Sequence, residues 1–226
     1  MLKQLLKKTF VYSVYKKHLH RKTIRKDNRI KKYFQINGMK DILYLQEKLT
    51  FLELPFFFDF GTLLGLYRDG QIIKGDMDID IGVLVDEKNT VYNIEKKLSC
   101  FKKIRSFSSD VSGVAEQSFE LNKYARFDIH YYYMDNNTRY CCLFYRLPED
   151  SLSNDCFNTV KVILDNFSIG KYELKGKQLS VPVPTEEFLI QKYGKTWRIP
   201  DSNWNYWEGP SSVKVLEKGH IDLFIK

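Results

Sequence analysis

FFFDFGTLLGLYRDGQIIKGDMDIDIGVLV, residues 56–85, is the stretch from which the fold of this chain can be predicted. The apolar run Phe56–Phe58 is typical of a short buried strand. Gly61 permits a sharp turn after that strand, and Thr62 is a candidate N-cap for a short helix over residues 63–66. The stretch therefore predicts a strand, a tight turn, a short helix, a loop and a second strand.

Acids and hydrophobic residues alternate near the end of this stretch. In a strand, Asp76, Asp78 and Asp80 would share one face and Met77, Ile79 and Ile81 the other. Adjacent carboxylates repel one another unless a cation binds, and Mg²⁺ prefers hard oxygen ligands. Solvated acids on a half-exposed strand are the alternative. Asp is a poor strand former, however, and such local conflicts tend to mark functional sites.

The predicted turn at Gly61-Thr62 adds a second feature. Its backbone N–H groups and the helix N-terminus after it suit an anion. An anion-binding turn beside paired carboxylates is typical of metal-assisted phosphoryl or nucleotidyl transfer.

The order and spacing of these residues resemble the LicD/fukutin family. The resemblance rests on GTLLG at 61–65, Arg68, Ile72-Ile73 and DMDID at 76–80. It implies a nucleotidyltransferase-type fold. It also implies transfer of a phospho-alcohol (phosphocholine, ribitol phosphate or glycerol phosphate) from a CDP-activated donor to a glycan hydroxyl.

A second motif extends the resemblance to about residue 200. VPVP at 181–184 precedes a predicted helix that ends at Tyr193-Gly194, and Trp197 and Pro200 follow. Pro and Glu suit the start of a helix, and Gly suits its C-cap. Family members end their core in this order.

A third carboxylate is expected on a neighbouring strand in this type of fold. ARFDIHYYY at 125–133 alternates, so Asp128 and His130 share a face. Asp128 fits the expected place, as a metal ligand or as general base for the acceptor hydroxyl. We interpret His130 as a structural strand residue.

The resemblance assigns a role to each candidate residue. Asp78 and Asp80 would hold one or two Mg²⁺ (or Mn²⁺) ions, Asp128 would complete the second site, and Asp76 is an alternative ligand.

The Gly61-Thr62 turn and Arg68 would hold the diphosphate, since the planar guanidinium matches phosphate oxygens. Two departures leave the donor open: Lys74-Gly75 replaces the Pro-Trp common in the family, and Met77 stands where many members have Asp.

Basic charge is concentrated in the N-terminal region. Residues 1–32 hold 12 of the 36 Lys and Arg residues and one of the 28 acids, which gives +11, while the remainder carries −3. We expect a basic helical arm at 1–35 and a catalytic domain at 36–226, with an α+β fold and a mixed β-sheet core between flanking helices. The arm suits an anionic membrane surface. A solvated helix is the alternative, and nucleic acid is not expected because the body has no nucleic-acid motif.

Composition places the chain in the cytoplasm, with peripheral attachment to the inner face of the plasma membrane as an option. The four cysteines show neither a CxxC pair nor zinc spacing, so we expect reduced thiols. No apolar run approaches the roughly 18 residues of a membrane span, and residues 2–15 lack the apolar core of a signal peptide.

The small size and the resemblance imply an acceptor in capsule, lipopolysaccharide or teichoic acid. Two other functions stay open. One is transfer of an NMP group to a small molecule or a protein. The other is an inactive assembly factor docked at the membrane during glycan synthesis.

The rest of the chain predicts short elements and an aromatic tail at Trp204, Tyr206 and Trp207, which either covers the core or stacks on a ligand. The predicted helices cover 37–53 and 86–99. The predicted strands cover 101–107, 118–121, 125–133, 138–146, 159–164, 168–174 and 178–183, with an exposed loop at 108–113.

Overall fold

The computed structural model describes residues 10–110, 112–147, 150, 152, 153 and 155–224, without the side chains of 10–17 and 19. Its first element is a long helix, α1 (Phe10–Phe51). Ile42, Leu45 and Leu49 of α1 are fully buried, as their helical spacing predicts. Residues 20–26 are exposed on every side, so this part of the helix projects from the body. The predicted boundary at residue 36 falls inside α1; the division into arm and domain stays a prediction.

The turn into the second helix differs from the sequence prediction. Strand β1 (Phe56–Phe58) leads directly into α2 (Phe60–Asp69), and the N-cap is Asp59, not Thr62. Asp59 accepts a hydrogen bond from the Phe60 N–H. The sharp exit lies at Phe60, which has φ of +40°, and not at Gly61. A non-glycine residue in this region costs about 1–3 kcal/mol, which the surroundings must supply.

The core is a mixed eight-stranded sheet flanked by helices, as predicted. Strands β2 and β5 are parallel, and the other pairs of the sheet are antiparallel. A separate hairpin pairs β8 with β9. The remaining elements are β2 (Ile79–Leu84), α3 (Val91–Lys97), β3 (Lys102–Ser109), β4 (Gly113–Glu120), β5 (Arg126–Asp135), β6 (Thr138–Tyr145), β7 (Cys156–Asp165), β8 (Ser168–Leu174), β9 (Lys177–Val183), α4 (Thr185–Tyr193) and β10 (Ser212–Leu223).

Six strands of this sheet curl into a ring. The order β5-β4-β3-β10-β7-β6 returns to its start because β6 also pairs with β5. That last pairing covers only Tyr133–Asp135 against Thr138–Tyr140, next to the hairpin turn. Beyond it β5 and β6 separate, and the ring is open on that side.

Three local predictions need correction. Helix α3 begins at Val91 rather than at Asp86, because the Asp86 carboxylate accepts from the Lys88 and Asn89 N–H groups in a turn. The predicted loop at 108–113 is shorter, since β3 runs to Ser109 and β4 begins at Gly113. The tail contributes a long strand, β10, that the sequence analysis missed.

All four cysteines are free, and Cys141 and Cys142 are buried. Within the described residues, no helix combines the length and the apolarity needed to cross a bilayer.

Candidate active site

Four strands place one polar residue each in a single row across the sheet. Asp80 on β2 lies opposite Asp128 on β5, Asp128 opposite Ser118 on β4, and Ser118 opposite Arg105 on β3. Directly opposed residues project from the same face of a sheet. The register therefore brings together two carboxylates and a guanidinium from sequence positions far apart.

Arginines hold two of the predicted carboxylates. Arg105 donates from Nε to Ser118 Oγ (2.6 Å) and from Nη2 to Asp128 Oδ2 (3.0 Å) and Glu116 Oε1 (3.1 Å). Arg126 Nη2 donates to Asp78 Oδ2. The other oxygen of Asp128, Oδ1, is buried without a hydrogen-bond partner among the described residues.

Asp76 and Asp80 converge on Gly61. A Cβ at Gly61 would lie 3.4 Å from Asp76 Oδ2 and 3.7 Å from Asp80 Oδ2. The missing side chain thus leaves a space that two carboxylate oxygens border. This is the role of Gly61 in the structure, rather than the turn conformation that its position suggested.

Burial and mutual repulsion raise the pKa values of these acids. Burial, followed by the charges of Asp80 and Asp78, raises the pKa of Asp76 to about 7, although Arg68 opposes the shift. Burial also raises the pKa of Asp80 to about 6, against the hydrogen bond with His130. A cation between the two carboxylates would remove this repulsion.

His130 is part of this cluster, although the sequence analysis set it aside. Its Nε2 lies 3.4 Å from Asp80 Oδ1. Burial lowers the pKa of His130, but the hydrogen bond to Asp80 and the charges of Glu116, Asp80 and Asp59 outweigh burial and raise it to about 9. The surrounding carboxylates therefore favour the protonated form of the ring.

The alternation of side chains along β5 could have predicted one further residue of the site. Arg126, Asp128 and His130 fall at alternate positions of β5 and share a face, so Arg126 could have been included with Asp128. Arg105 and Glu116 were missed for a different reason. They lie on other strands, and only the register shows that they face Asp128.

A cavity of about 810 Å³ opens over these groups. Five of the predicted site residues line it: Gly61, Arg68, Asp78, Asp80 and Asp128.

Asp76 and Thr62 are not among the lining residues. Thr62 is buried, and its hydroxyl accepts the Asp80 N–H at 2.9 Å, so it positions Asp80. Arg68 makes two hydrogen bonds to Asp69 (2.8 and 2.9 Å), which fix its guanidinium at the cavity wall. Lys74, which departs from the family pattern, also lines the cavity.

The residues present fit a magnesium ion that shares its ligands with a substrate. Among the described residues, no group of three His, Cys, Asp or Glu side chains is arranged to enclose a metal. Mg²⁺ does not require such an enclosure, because it is usually bound by one or two carboxylates plus substrate phosphates and water. Asp76 and Asp80 at Gly61 provide those two carboxylates.

A closed ion pair supports α2 from behind. Lys192 of α4 donates to Asp59 Oδ1 and to the Tyr132 hydroxyl, and Tyr132 donates to Asp59 Oδ2. The Lys192 ammonium also lies 3.4 Å from the centroid of the Phe60 ring, and that ring packs on His130 at 4.6 Å. These contacts hold Phe60 in its left-handed conformation, between the ion pair and the cavity.

The aromatic tail divides between the two predicted roles. Trp204 and Tyr206 line the cavity, whereas Trp207 stacks on Tyr145 at 5.3 Å and is not a lining residue. Trp204 also contacts Tyr193, whose ring centroid is 4.6 Å away.

Comparison with known proteins identifies the family. Residues 53–183 match the model described as LicD/FKTN/FKRP, nucleotidyltransferase domain. The match covers more than half of the chain, and the chain belongs to this family. The predicted family and the predicted nucleotidyltransferase-type fold are thereby confirmed.

Curated relatives carry the name ribitol-5-phosphate transferase FKTN. The proteins of Macaca fascicularis and Homo sapiens are each 24% identical over 189 residues, which is 83% of this chain and 39% of the relative. The Mus musculus protein is 25% identical over 176 residues, 77% of this chain and 36% of the relative. The chain thus spans less than half the length of these relatives.

Among solved structures, the lincosamide antibiotic adenylyltransferase LnuA with bound lincomycin is similar. It has 15% sequence identity and a TM-score of 0.41, over 67% of this chain and 84% of that chain.

Proposed function

We propose that this protein is a metal-dependent transferase of the LicD type. It would move a phospho-alcohol from a CDP-activated donor to a hydroxyl of a cell-surface glycan. Ribitol phosphate is the favoured group because the curated relatives carry that name. The observation that carries the proposal is the convergence of Asp76 and Asp80 on the bare Cα of Gly61, beside a cavity that Gly61, Asp80, Arg68 and Lys74 line.

The chain's own residues would bind and orient the donor. Arg68 and Lys74 attract the diphosphate, and Gly61 lets a phosphate oxygen approach Asp76 and Asp80. A Mg²⁺ or Mn²⁺ ion held by these two carboxylates and by substrate phosphates would offset the charge of the phosphates. Asp78 and Asp128, the other predicted ligands, are bound by Arg126 and Arg105 instead. His130, as a cation, holds the Asp80 carboxylate in its orientation.

Asp128 suits the role of general base. Its Oδ2 is fixed by Arg105, and its buried Oδ1 accepts no hydrogen bond in the described part of the chain, although Arg126 Nε lies 3.8 Å away. An acceptor hydroxyl would give its proton to Oδ1 while its oxygen forms a bond to phosphorus. The bond from phosphorus to the CMP oxygen breaks, and CMP leaves in line with the attack.

A thermal-shift assay tests this proposal directly. The probes are CDP, CDP-choline, CDP-ribitol and CDP-glycerol, each with Mg²⁺ and with EDTA. A donor at 100 times its Kd should stabilise the protein by about 2.7 kcal/mol, and only with Mg²⁺. Release of free CMP in the presence of a glycan acceptor should follow.

Gly61→Ala makes the test specific to the site. The added methyl group would sit at ordinary contact distance from Asp76 and Asp80, so the variant should fold. Ala is also the better helix former, by about 1 kcal/mol. We expect unchanged or higher stability together with loss of the Mg²⁺-dependent shift. A full shift in this variant would rule out the site.

The same assay separates the two other functions. A shift with ATP or UTP instead, and NMP recovered on the acceptor, would indicate nucleotidyl transfer. No shift with any nucleotide would favour an inactive assembly factor.

The basic part of α1 is proposed to hold the enzyme at an anionic membrane on the cytoplasmic side. The seven cations at 21–32 are exposed, and residues 20–26 are exposed on every side (Arg21, Lys22, Arg25, Lys26, Arg29, Lys31 and Lys32). Co-sedimentation with vesicles that contain phosphatidylserine, and not with neutral vesicles, would support this. Equal binding to both would contradict it, and salt-sensitive binding to a DNA duplex would favour nucleic acid.

A further inference from the structure

The inside of the strand ring presents an aromatic surface to the cavity. Phe107 on β3 stacks on Phe144 of β6 (centroids 5.2 Å apart, 13° between planes), and Phe157 of β7 meets Phe107 edge-on at 5.2 Å. All three line the cavity. We call these three rings the aromatic floor.

The backbone of β10 is shaped to admit this floor. A Cβ at Gly219 would lie 2.0 Å from an atom of the Phe144 ring, so only glycine allows the ring its position. Tyr206, which also lines the cavity, donates its hydroxyl to the Phe144 carbonyl at 2.6 Å. Gly219 and Tyr206 thus fix the position of Phe144 in the floor, and both lie outside the residues that match the family model.

The aromatic floor lies next to Arg105, which binds the proposed general base Asp128, and lies away from Arg68, which is proposed to bind phosphate. The guanidinium of Arg105 lies 5.1 Å from the centroid of Phe107, and the same group binds Asp128 and Glu116. Arg68 lies instead on α2, which packs beside β2. Strands β5 and β4 stand between β2 and β3, and β3 carries both Arg105 and Phe107.

In-line transfer places the acceptor and the leaving nucleotide on opposite sides of phosphorus. The base marks the acceptor side, because it must reach the acceptor proton. We propose that the aromatic floor, with Arg105 and Glu116 at its edge, binds a sugar ring of the acceptor glycan. This inference rests on the function proposed above.

The chemistry of the floor suits a sugar. One face of a pyranose ring carries only C–H groups, which pack on the electron-rich face of an aromatic ring. The hydroxyls at its edge need charged or polar partners, which a guanidinium and a carboxylate provide. A nucleobase would also stack, and the experiment must separate the two ligands.

Saturation-transfer NMR with two probes does so. The probes are methyl β-galactopyranoside, which has no base, and cytidine, which has no phosphate. Neither requires turnover, so the result is independent of whether transfer occurs. We expect saturation of the glycoside ring protons by the wild-type protein, both with and without CDP and Mg²⁺.

Phe157→Leu tests the floor itself, and Phe101→Leu is the matched control. Both phenylalanines are half-buried, and both meet one neighbouring ring edge-on. They differ in that Phe157 also lies under the Arg146 guanidinium, 4.5 Å from its ring centroid, whereas Phe101 packs on Phe127 and does not line the cavity. We expect Phe157→Leu to weaken glycoside binding about tenfold and to leave cytidine binding unchanged. Tenfold corresponds to about 1.4 kcal/mol.

Three outcomes would overturn the inference. The first is the absence of glycoside binding to the wild-type protein, even if CDP binds as proposed. The second is weakening of cytidine rather than glycoside binding in Phe157→Leu, which would assign the floor to the nucleobase. The third is an equal effect of the two leucine variants. Phe144→Leu replaces Phe157→Leu if the latter does not fold.

Discussion

Two clusters of buried charge lie on either side of Phe60, and they differ in how completely they are paired. Behind the ring, Asp59 and Lys192 are almost inaccessible, and every hydrogen-bonding atom of the pair has a partner. In front of it, Asp128 Oδ1, His130 Nδ1 and Arg126 Nε are buried without hydrogen-bond partners in the described structure, and Arg126 Nε meets Asp128 Oδ1 only as a loose ion pair at 3.8 Å. We call these the closed cluster and the open cluster.

The difference assigns the closed cluster to the stability of the fold and the open cluster to the binding of a ligand. Buried polar groups in folded proteins are normally paired, so an unpaired set at a cavity indicates a missing ligand. The closed cluster needs none. Phe60 joins the two, because the Lys192 ammonium lies over its ring and His130 packs against it. The closed cluster thus holds the wall of the open one.

Lys192→Met should have the largest effect, and on stability. It leaves the Asp59 carboxylate buried without its counter-ion, which costs about 3–5 kcal/mol. Urea unfolding would measure the loss, with exposed Lys195→Met as the control. The double variant Asp59→Leu/Lys192→Met should regain part of the stability. If Lys192→Met is as stable as the wild type, the closed cluster is not structural.

Asp80→Asn should reduce phosphotransfer about 10²–10³-fold, since it removes a proposed ligand of the ion that offsets the charge at the reacting phosphate. Stability should change little, because removal of a carboxylate whose pKa is raised by burial is opposed by loss of the acidic partner of His130. Steady-state turnover with CDP-ribitol measures the first effect and urea unfolding the second. Asp222→Asn removes an exposed carboxylate of β10 as the control. Turnover near the wild-type level would remove Asp80 from the site.

The open cluster should make the metal-free protein less stable as pH rises. Burial raises the pKa of Glu116 from 4.5 to about 7, so the folded state binds more protons than the unfolded state between these values. The free energy of unfolding therefore falls across this window, by about 1–3 kcal/mol for this group. The raised pKa of His130 extends the fall towards pH 9.

Urea unfolding in EDTA at pH 4.5 and 7 would measure this fall. Glu116→Gln should reduce the difference between the two pH values. Glu120→Gln, an exposed residue of the same strand, should not. A stability that rises over this window would contradict the burial of the cluster.

The smallest expected effect is a difference in stability between valine variants of two buried threonines, Thr62 and Thr159. Thr62→Val removes the acceptor of the Asp80 N–H and should cost about 1–2 kcal/mol. The Thr159 hydroxyl is buried without a partner in the described structure, so Thr159→Val should be neutral or stabilising. Thermal unfolding of both variants is the measurement. Equal costs would mean that the Thr62 hydrogen bond contributes nothing.

The local elements and the residues that carry the main chemistry could be predicted from the amino-acid sequence alone. The 3–4 spacing of Ile42, Leu45 and Leu49 predicted the buried face of α1, and alternation placed Asp128 on a strand next to His130. The order of GTLLG, Arg68 and DMDID was sufficient to identify the family, which the comparison confirmed. Such features are local, and a short window of sequence contains them.

The pairings between distant segments could not be predicted and are known from the folded structure. Arg105 and Asp128 face each other because two strand registers align them, and Lys192 meets Asp59 because α4 packs behind α2. The strand at 212–223 was missed because its side chains are largely exposed, and its place between β3 and β7 depends on backbone hydrogen bonds. Almost every residue carries the same backbone donor and acceptor groups, so the sequence does not show which strands they will join. The pairing of charges and the order of the strands therefore required the structure, because both depend on contacts between residues that are far apart in the sequence.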